Sequence, residues 1–368
     1  MELLYLILLF PLVWPWIAKR LWGTEITKQE MFLNIVIIIA ACITTWEFGR
    51  YSKMSDTEIW NGQVIQKEQV RVSCEHSYSC NCRTDSKGTP SCDICYEHMY
   101  DWDWVVRSSA GEFNIDRVDR RGSDEPPRWT AVRPGQPVAL AKSYDNYIKA
   151  APFSLFNEHR EVEKSFASKI PGYPQQVYDY HYVDRVITIG VPLPDLKQWN
   201  TELALLLRSL GPEKQVNVIL VFVDTKDPTY ANALSRAWLG GKKNDVVVII
   251  GSTSFPKIDW VRVLSWTDEK LFVVQLRDEL LEQKSVDKNK VLSIVSKHIQ
   301  STFKRKNMKD FEYLKDEIQP DDWVIILVGL LAVFGSLGLT ALFYFYEVDL
   351  TDPRNIIRKK YRHINRRY

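Results

Sequence analysis

Apolar positions are concentrated at the two ends of the chain, and between them they alternate or recur with helical spacing. Near the amino terminus, apolar segments at about 3–17 and 31–46 flank a polar loop with Lys19, Arg20 and Lys28. A third segment, 323–346, contains no charged residue and is long enough to cross a hydrocarbon core of ~30 Å with some tilt. Trp14, Trp16, Trp22, Trp46 and Trp323 sit at the ends of these runs, where amphipathic rings favour the membrane–water boundary. The pattern therefore predicts a multi-domain membrane protein with three transmembrane helices. The first segment is short and carries Pro11 and Pro15, so a secretory signal peptide competes for it. Against that reading, no basic residue precedes the apolar run and no A-x-A-like cleavage site follows it.

Charge sets the expected orientation. The tail after Asp352 holds Arg354, Arg358, Lys359, Lys360, Arg362, Arg366 and Arg367 with no acidic residue, which marks it as cytoplasmic. The basic 18–30 loop falls on the same side. Residues 50–320 are then extracytoplasmic, and the expected location is an integral protein of the bacterial inner membrane. Ala332, Ser336 and Thr340 recur every four residues and form a candidate contact face, either for a homo-oligomer or simply toward lipid. Asn34, inside the second segment, either bonds another helix or is hydrated near the interface.

Residues 51–150 read as a β-rich module. The stretches 63–66 and 69–72 alternate polar and apolar residues, and 102–106 and 112–118 read as further strands, followed by a loop at 120–127. Five of the six cysteines fall here. Cys80, Cys82, Cys92 and Cys95 make C-x-C-x9-C-x2-C, a spacing that can wrap a structural zinc ion, with Cys74, His76 and His98 as substitute ligands and a turn at 87–90 between the pairs. Disulfides compete, because the expected compartment is oxidising. Asp101-Trp102-Asp103-Trp104 places two carboxylates on one strand face, which reads as an exposed face rather than a sugar-cleaving pair.

After a connecting segment at 151–179, the pattern over 180–320 alternates helices with buried strands. Asp195 can cap a helix over 196–210 that ends at Gly211-Pro212; 216–223 is a continuous apolar strand; 228–238 is helical up to Gly240-Gly241; 246–250 and 260–266 are strands; two helices follow at 268–282 and 287–303. This is an α/β domain with helices packed on a sheet. It precedes the transmembrane helix at 321–347 and the tail at 348–368.

Tyr230, Ala231, Leu234, Trp238, Gly240, Lys242, Asn244, Asp245 and the apolar run 246–250, in this order of elements, resemble the TPM domain. The resemblance covers about 180–305. It implies an extracytoplasmic α/β domain followed by a membrane helix, as the topology above also has it. Acid phosphatase activity and divalent-cation binding are associated with some members of that family. The chain departs from the family at 263–268, where Gly-x-Gly is missing.

Asp224, Asp227 and Asp245 lie at ends of predicted strands, where a Ca or Mg ion could be gathered; their competing reading is turn and cap residues. His181 and His298 are isolated, and no phosphate-binding or dinucleotide fingerprint is present. A net charge of +2 over 368 residues argues against a broad nucleic-acid face. Two functions are expected from these observations. One is a membrane-anchored interaction or regulatory protein acting on another envelope protein. The other is a metal-dependent phosphatase-like hydrolase built on the three aspartates.

Overall fold

The computed structural model describes residues 7–22, 26–84, 90–151, 165–175, 184–348 and 357–359. The chain divides into a helical unit (residues 1–55, 145–152 and 311–368) and a larger sheet unit (56–144 and 153–310).

In the helical unit, α1 (Phe10–Trp22) has 13 residues and so is about 20 Å long, short of a hydrocarbon core. Helix α2 (Lys28–Met54) has 27 residues and opens on a capping box, with the Glu30 N–H donating to Thr27 Oγ1 at 3.1 Å and the Thr27 N–H to Glu30 Oε2 at 2.8 Å. The C-terminal helix, Asp322–Phe345, has 24 residues and widens into a π-helical turn at Leu331–Gly335. Among the described residues two helices, not the expected three, are long and apolar enough to cross a bilayer. Their outward side chains, among them Phe32, Phe48, Ile326 and Phe334, are apolar and exposed. The inward faces pack Ile38 and Cys42 against Val324, Val328 and Ala332. Ser336 and Thr340 are buried in the same contact, so the small-residue face is used within the chain. Asn34 is buried there too and donates to Ser336 O and Thr340 Oγ1, both at 3.1 Å. Its helix-bonding reading holds and the hydrated one does not. Most of the basic tail lies outside the described residues.

The sheet unit begins with β1 (Ser55–Val72), one strand of 18 residues where the pattern suggested two short ones. The hairpin β2 (Ser77–Thr84) and β3 (Pro90–Tyr96) leaves this strand as a separate two-stranded sheet; the turn at 85–89 lies outside the described residues. Then come β4 (Asp101–Ser108), β5 (Gly111–Ile115) and β6 (Pro137–Asp145), giving the sheet order β5-β4-β1-β6. Its core holds Val64, Trp104, Val106, Ile115 and Val138, with Trp129 edge-on to Trp104 at 4.7 Å.

The second sheet has the order β10-β9-β8-β7. Strands β7 (Val186–Ile189), β8 (Asn217–Val223) and β9 (Asp245–Gly251) are parallel, and β10 (Trp260–Ser265) is antiparallel to β9. Both faces are covered, which is why β8 and β9 are continuous apolar runs. Val218, Leu220 and Phe222 meet Trp199, Leu203 and Leu207 of α3 (Leu196–Lys214) on one face. Ile219, Val221 and Val223 meet Tyr230 and Leu234 of α4 (Tyr230–Ala237) on the other, with Phe166, Ile170 and Tyr173 laid beside them. Helices α5 (Lys270–Glu282) and α6 (Lys288–Ser301) complete the first face.

The β-rich and α/β modules form one compact unit because the start of β1 is hydrogen-bonded into the second sheet. Asn61 Nδ2 donates to Val216 O at 3.0 Å, and Asn244 Nδ2 donates to Ile59 O at 2.8 Å. Gly211 belongs to this contact. Helix α3 runs through it to Lys214 with Pro212 inside, so Gly211 is not the stop that the sequence suggested. Its role is close approach: a Cβ there would stand 2.2 Å from Asn61 O.

Candidate metal centre

The structure ties Cys80 to Cys95 and Cys82 to Cys92 as disulfides across β2 and β3. A zinc site needs thiolates, and these four sulfurs have none to give. The four-cysteine zinc reading is thus replaced by its rival, disulfides. Cys42 and Cys74 remain free and buried.

Cys74 lies just past the end of β1, and Asp101 pairs with Val72 in the β1–β4 register. His98 sits in the connection between β3 and β4. The hairpin thus leaves and returns at one point, and its root brings the three together. His98 Nδ1 is 3.8 Å from Cys74 Sγ and 3.2 Å from Asp101 Oδ1. All three donor atoms lie within 4.8 Å of one another, the only such group of three or more among the described residues. They could hold a metal ion.

Around them the polar groups are satisfied in order. Asp101 is fully buried; its Oδ2 accepts the Glu75 N–H at 3.2 Å and Arg117 Nη1 at 3.3 Å. Burial pushes the Asp101 carboxyl up, but hydrogen bonds from Glu75, Cys74 and His98 and the Arg117 charge outweigh it and hold it below the usual range. Arg117 also donates to Asp103 Oδ1 through Nε at 2.9 Å and Nη2 at 2.5 Å. The Asp101–Asp103 pair is therefore an ion-pair anchor, not the exposed strand face that its alternation suggested. His76 stays outside the group, with Nε2 2.9 Å from Arg120 O. A cleft of about 420 Å³ opens beside it, lined by Glu75, His76, Asp103, Arg117 and Asp119.

Catalysis by a Cys-His-Asp relay does not fit this geometry. A relay uses the two imidazole nitrogens for two partners, whereas here the thiol and the carboxylate both face Nδ1.

The three strand-end aspartates do not converge. Asp245 opens β9 and Asp224 follows the last residue of β8. The two strands are parallel with Asn217 opposite Asp245, so these carboxylates sit at opposite ends of a seven-residue strand, about 20 Å apart. Asp227 is a turn cap, its Oδ1 accepting the Thr229 N–H at 2.9 Å. Those bonds from Thr229 lower its carboxyl. Asp245 is buried, with Oδ1 accepting from Asn217 Nδ2 at 2.9 Å and Oδ2 from the Tyr173 hydroxyl and the Lys242 N–H, both at 2.8 Å. Burial raises it to about 6. A Ca or Mg site shared by all three cannot form on this frame. His298 is paired with Glu279 at 2.7 Å, and His181 lies outside the described residues.

Asp101 joins the candidate donors only in the structure. Its signal is the His98-x-x-Asp101 spacing together with an odd cysteine left over from two pairs. No family model matches the chain, and neither does any curated protein or solved structure compared with it.

Proposed function

We propose that this is a membrane-anchored, extracytoplasmic interaction protein that docks another envelope protein through the β2–β3 hairpin. The observation that carries the reading is the hairpin itself. Two-stranded hairpins are marginal alone, yet this one is closed by two disulfides and buries almost nothing. Ile94 and Tyr96 share one face and are 71% and 58% exposed, with Ser77 and Ser79 opposite them. A locked, exposed strand pair with apolar side chains adds little to its own core and suits a partner surface.

Disulfides support an oxidising compartment for the sheet unit, and the two long apolar helices support anchoring in a membrane, with the basic tail cytoplasmic. The TPM-like reading of the α/β module belongs to the same proposal; it is supported by the order of parallel strands and helices and by the Trp238 to Gly241 turn, where both glycines take positive φ. A structural zinc remains part of the proposal through Cys74, which lies outside both disulfides, and the His98 beside it.

Native electrophoresis of the full-length protein, extracted in mild detergent from its own membrane, tests the docking. Wild type migrates as a complex with a second protein, and Ile94→Asp with Tyr96→Asp reduces it to the single chain without lowering Tm. A single chain in both cases contradicts the proposal, and so does a complex made only of this chain.

A further inference from the structure

We propose that Cys74, His98 and Asp101 bind one zinc-class divalent ion at the root of the hairpin, with the fourth position open on the side where His98 is partly exposed. The inference rests on the zinc component of the reading above and is independent of docking.

Spacing comes within a few tenths of an ångström of the assignment for the two donor pairs measured through His98 Nδ1. In a tetrahedral site with Zn–S of ~2.3 Å and Zn–N or Zn–O of ~2.1 Å, neighbouring donors lie about 3.4–3.7 Å apart. The sulfur–nitrogen distance here is 3.8 Å and the nitrogen–oxygen distance 3.2 Å. Without a metal, the thiol and the carboxylate share one ring nitrogen. Nδ1 carries at most one hydrogen. If it donates that hydrogen to Asp101, it has no lone pair for the Cys74 thiol, which then turns to Asp101 itself or to His76 O at 3.7 Å. An ion at the centre gives each of the three donors a partner at once.

Ligand chemistry agrees as well. One thiolate, one imidazole and one carboxylate match the donors zinc takes, and three protein ligands leave a fourth position for water or an outside donor. Arg117 and the Glu75 N–H hold Asp101 from behind through its other oxygen, as outer-shell groups hold metal-bound carboxylates. The cysteine state fits too. Four of the five cysteines in the sheet unit are oxidised, and the fifth is buried beside a histidine and a carboxylate, where an ion would protect it as thiolate. Binding forms the metal–sulfur bond as the thiol proton leaves to solvent, with no change of oxidation state. The dication is then balanced by thiolate and carboxylate. The bound ion ties the end of β1 to the start of β4 and adds a third clamp to the hairpin below the two disulfides.

The test uses untagged full-length protein with Cys42→Ala, so that Cys74 is its one free thiol. Loaded with cobalt(II), it shows one equivalent per chain and a near-ultraviolet thiolate-to-cobalt absorption. Cys74→Ser removes that band, and Asp101→Asn weakens zinc binding by more than the roughly 10–100-fold that an outer-shell partner costs. Because these variants can misfold, alkylation of the unmodified site is the second readout. Zinc slows modification of Cys74 at least tenfold, and a chelator restores the rate. Absence of a cobalt band, or an alkylation rate indifferent to zinc and chelator, overturns the site while leaving the docking proposal intact.

Discussion

Arg185 and Asp245, both buried at the amino ends of the parallel strands, are joined through Asn217 and not by direct contact. Arg185 Nε donates to Asn217 Oδ1 at 2.9 Å, and Asn217 Nδ2 donates to Asp245 Oδ1 at 2.9 Å. Arg185 Nη2 bonds Asn61 Oδ1, and its backbone N–H donates to Asn200 Oδ1 at 2.8 Å. A fully buried guanidinium is thus held by the amide oxygens of Asn61 and Asn217, on two different elements, while Asn200 holds its backbone. Burial pulls Arg185 down to about 10, against support from Tyr173 and Asp245. This cluster fastens β1 to the α/β sheet.

The linkage predicts a double-mutant cycle. Arg185→Met leaves Asn61 and Asn217 without their charged donor and costs about 2–4 kcal/mol; Asp245→Asn costs less. The double variant loses less than the sum, by about 1–2 kcal/mol, measured by urea unfolding of the full-length protein in detergent. Strict additivity contradicts the relay through Asn217.

The same carboxylate gives a pH signature. Asp245 is raised from 3.8 to about 6, so the folded state holds its proton more tightly than the unfolded chain does. Its contribution to stability is full below pH 3.8 and is lost as the pH rises through about 6, a swing on the order of 3 kcal/mol. The stability difference between wild type and Asp245→Asn therefore falls from pH 4 to about pH 7 and then flattens. A difference that stays level, or that rises, shows that burial does not control this group.

Gly211 makes a third test, because two effects oppose each other there. Alanine is the better helix residue by about 1 kcal/mol. Its Cβ, however, would meet the backbone oxygen of Asn61 at 2.2 Å, and a backbone atom cannot move aside cheaply. Gly211→Ala is expected to destabilise by about 1–3 kcal/mol, with Tm by circular dichroism as the check. A neutral or stabilising result would show that β1 does not approach α3 so closely.

Legibility followed sequence distance. Strands β8 and β9 and helices α3 to α6 could be read from local period, since each buries a face set by its own residues. Cys74 with Asp101, Asn61 with Arg185 and Asn34 with Thr340 could not be read. Each pair is formed by chain return, and a polar residue at such a junction looks like an exposed one until its partner is known. Gly211 read as a helix stop for the same reason, since the crowding atom belongs to β1. The first apolar segment begins outside the described residues, and the helix described in it, Phe10–Trp22, is too short by itself to span a bilayer.

The disulfides predict a separation of local from global stability. Each closes a short loop and acts mainly on the unfolded hairpin. Since β2 and β3 stay outside three hydrophobic clusters of the sheet unit, replacing all four paired cysteines by serine leaves the main transition within about 2–3 °C. Protease then cuts within 77–96. A collapse of the whole sheet unit would show that the hairpin is part of its core.

The most direct test of docking is site-specific photo-cross-linking of the full-length protein in its native membrane, with the reactive side chain at position 94 and, as control, at exposed position 118. One discrete adduct with another envelope protein is expected from position 94, lost when the disulfides are reduced, and none from position 118. Equal labelling from both positions, or none from position 94, contradicts it.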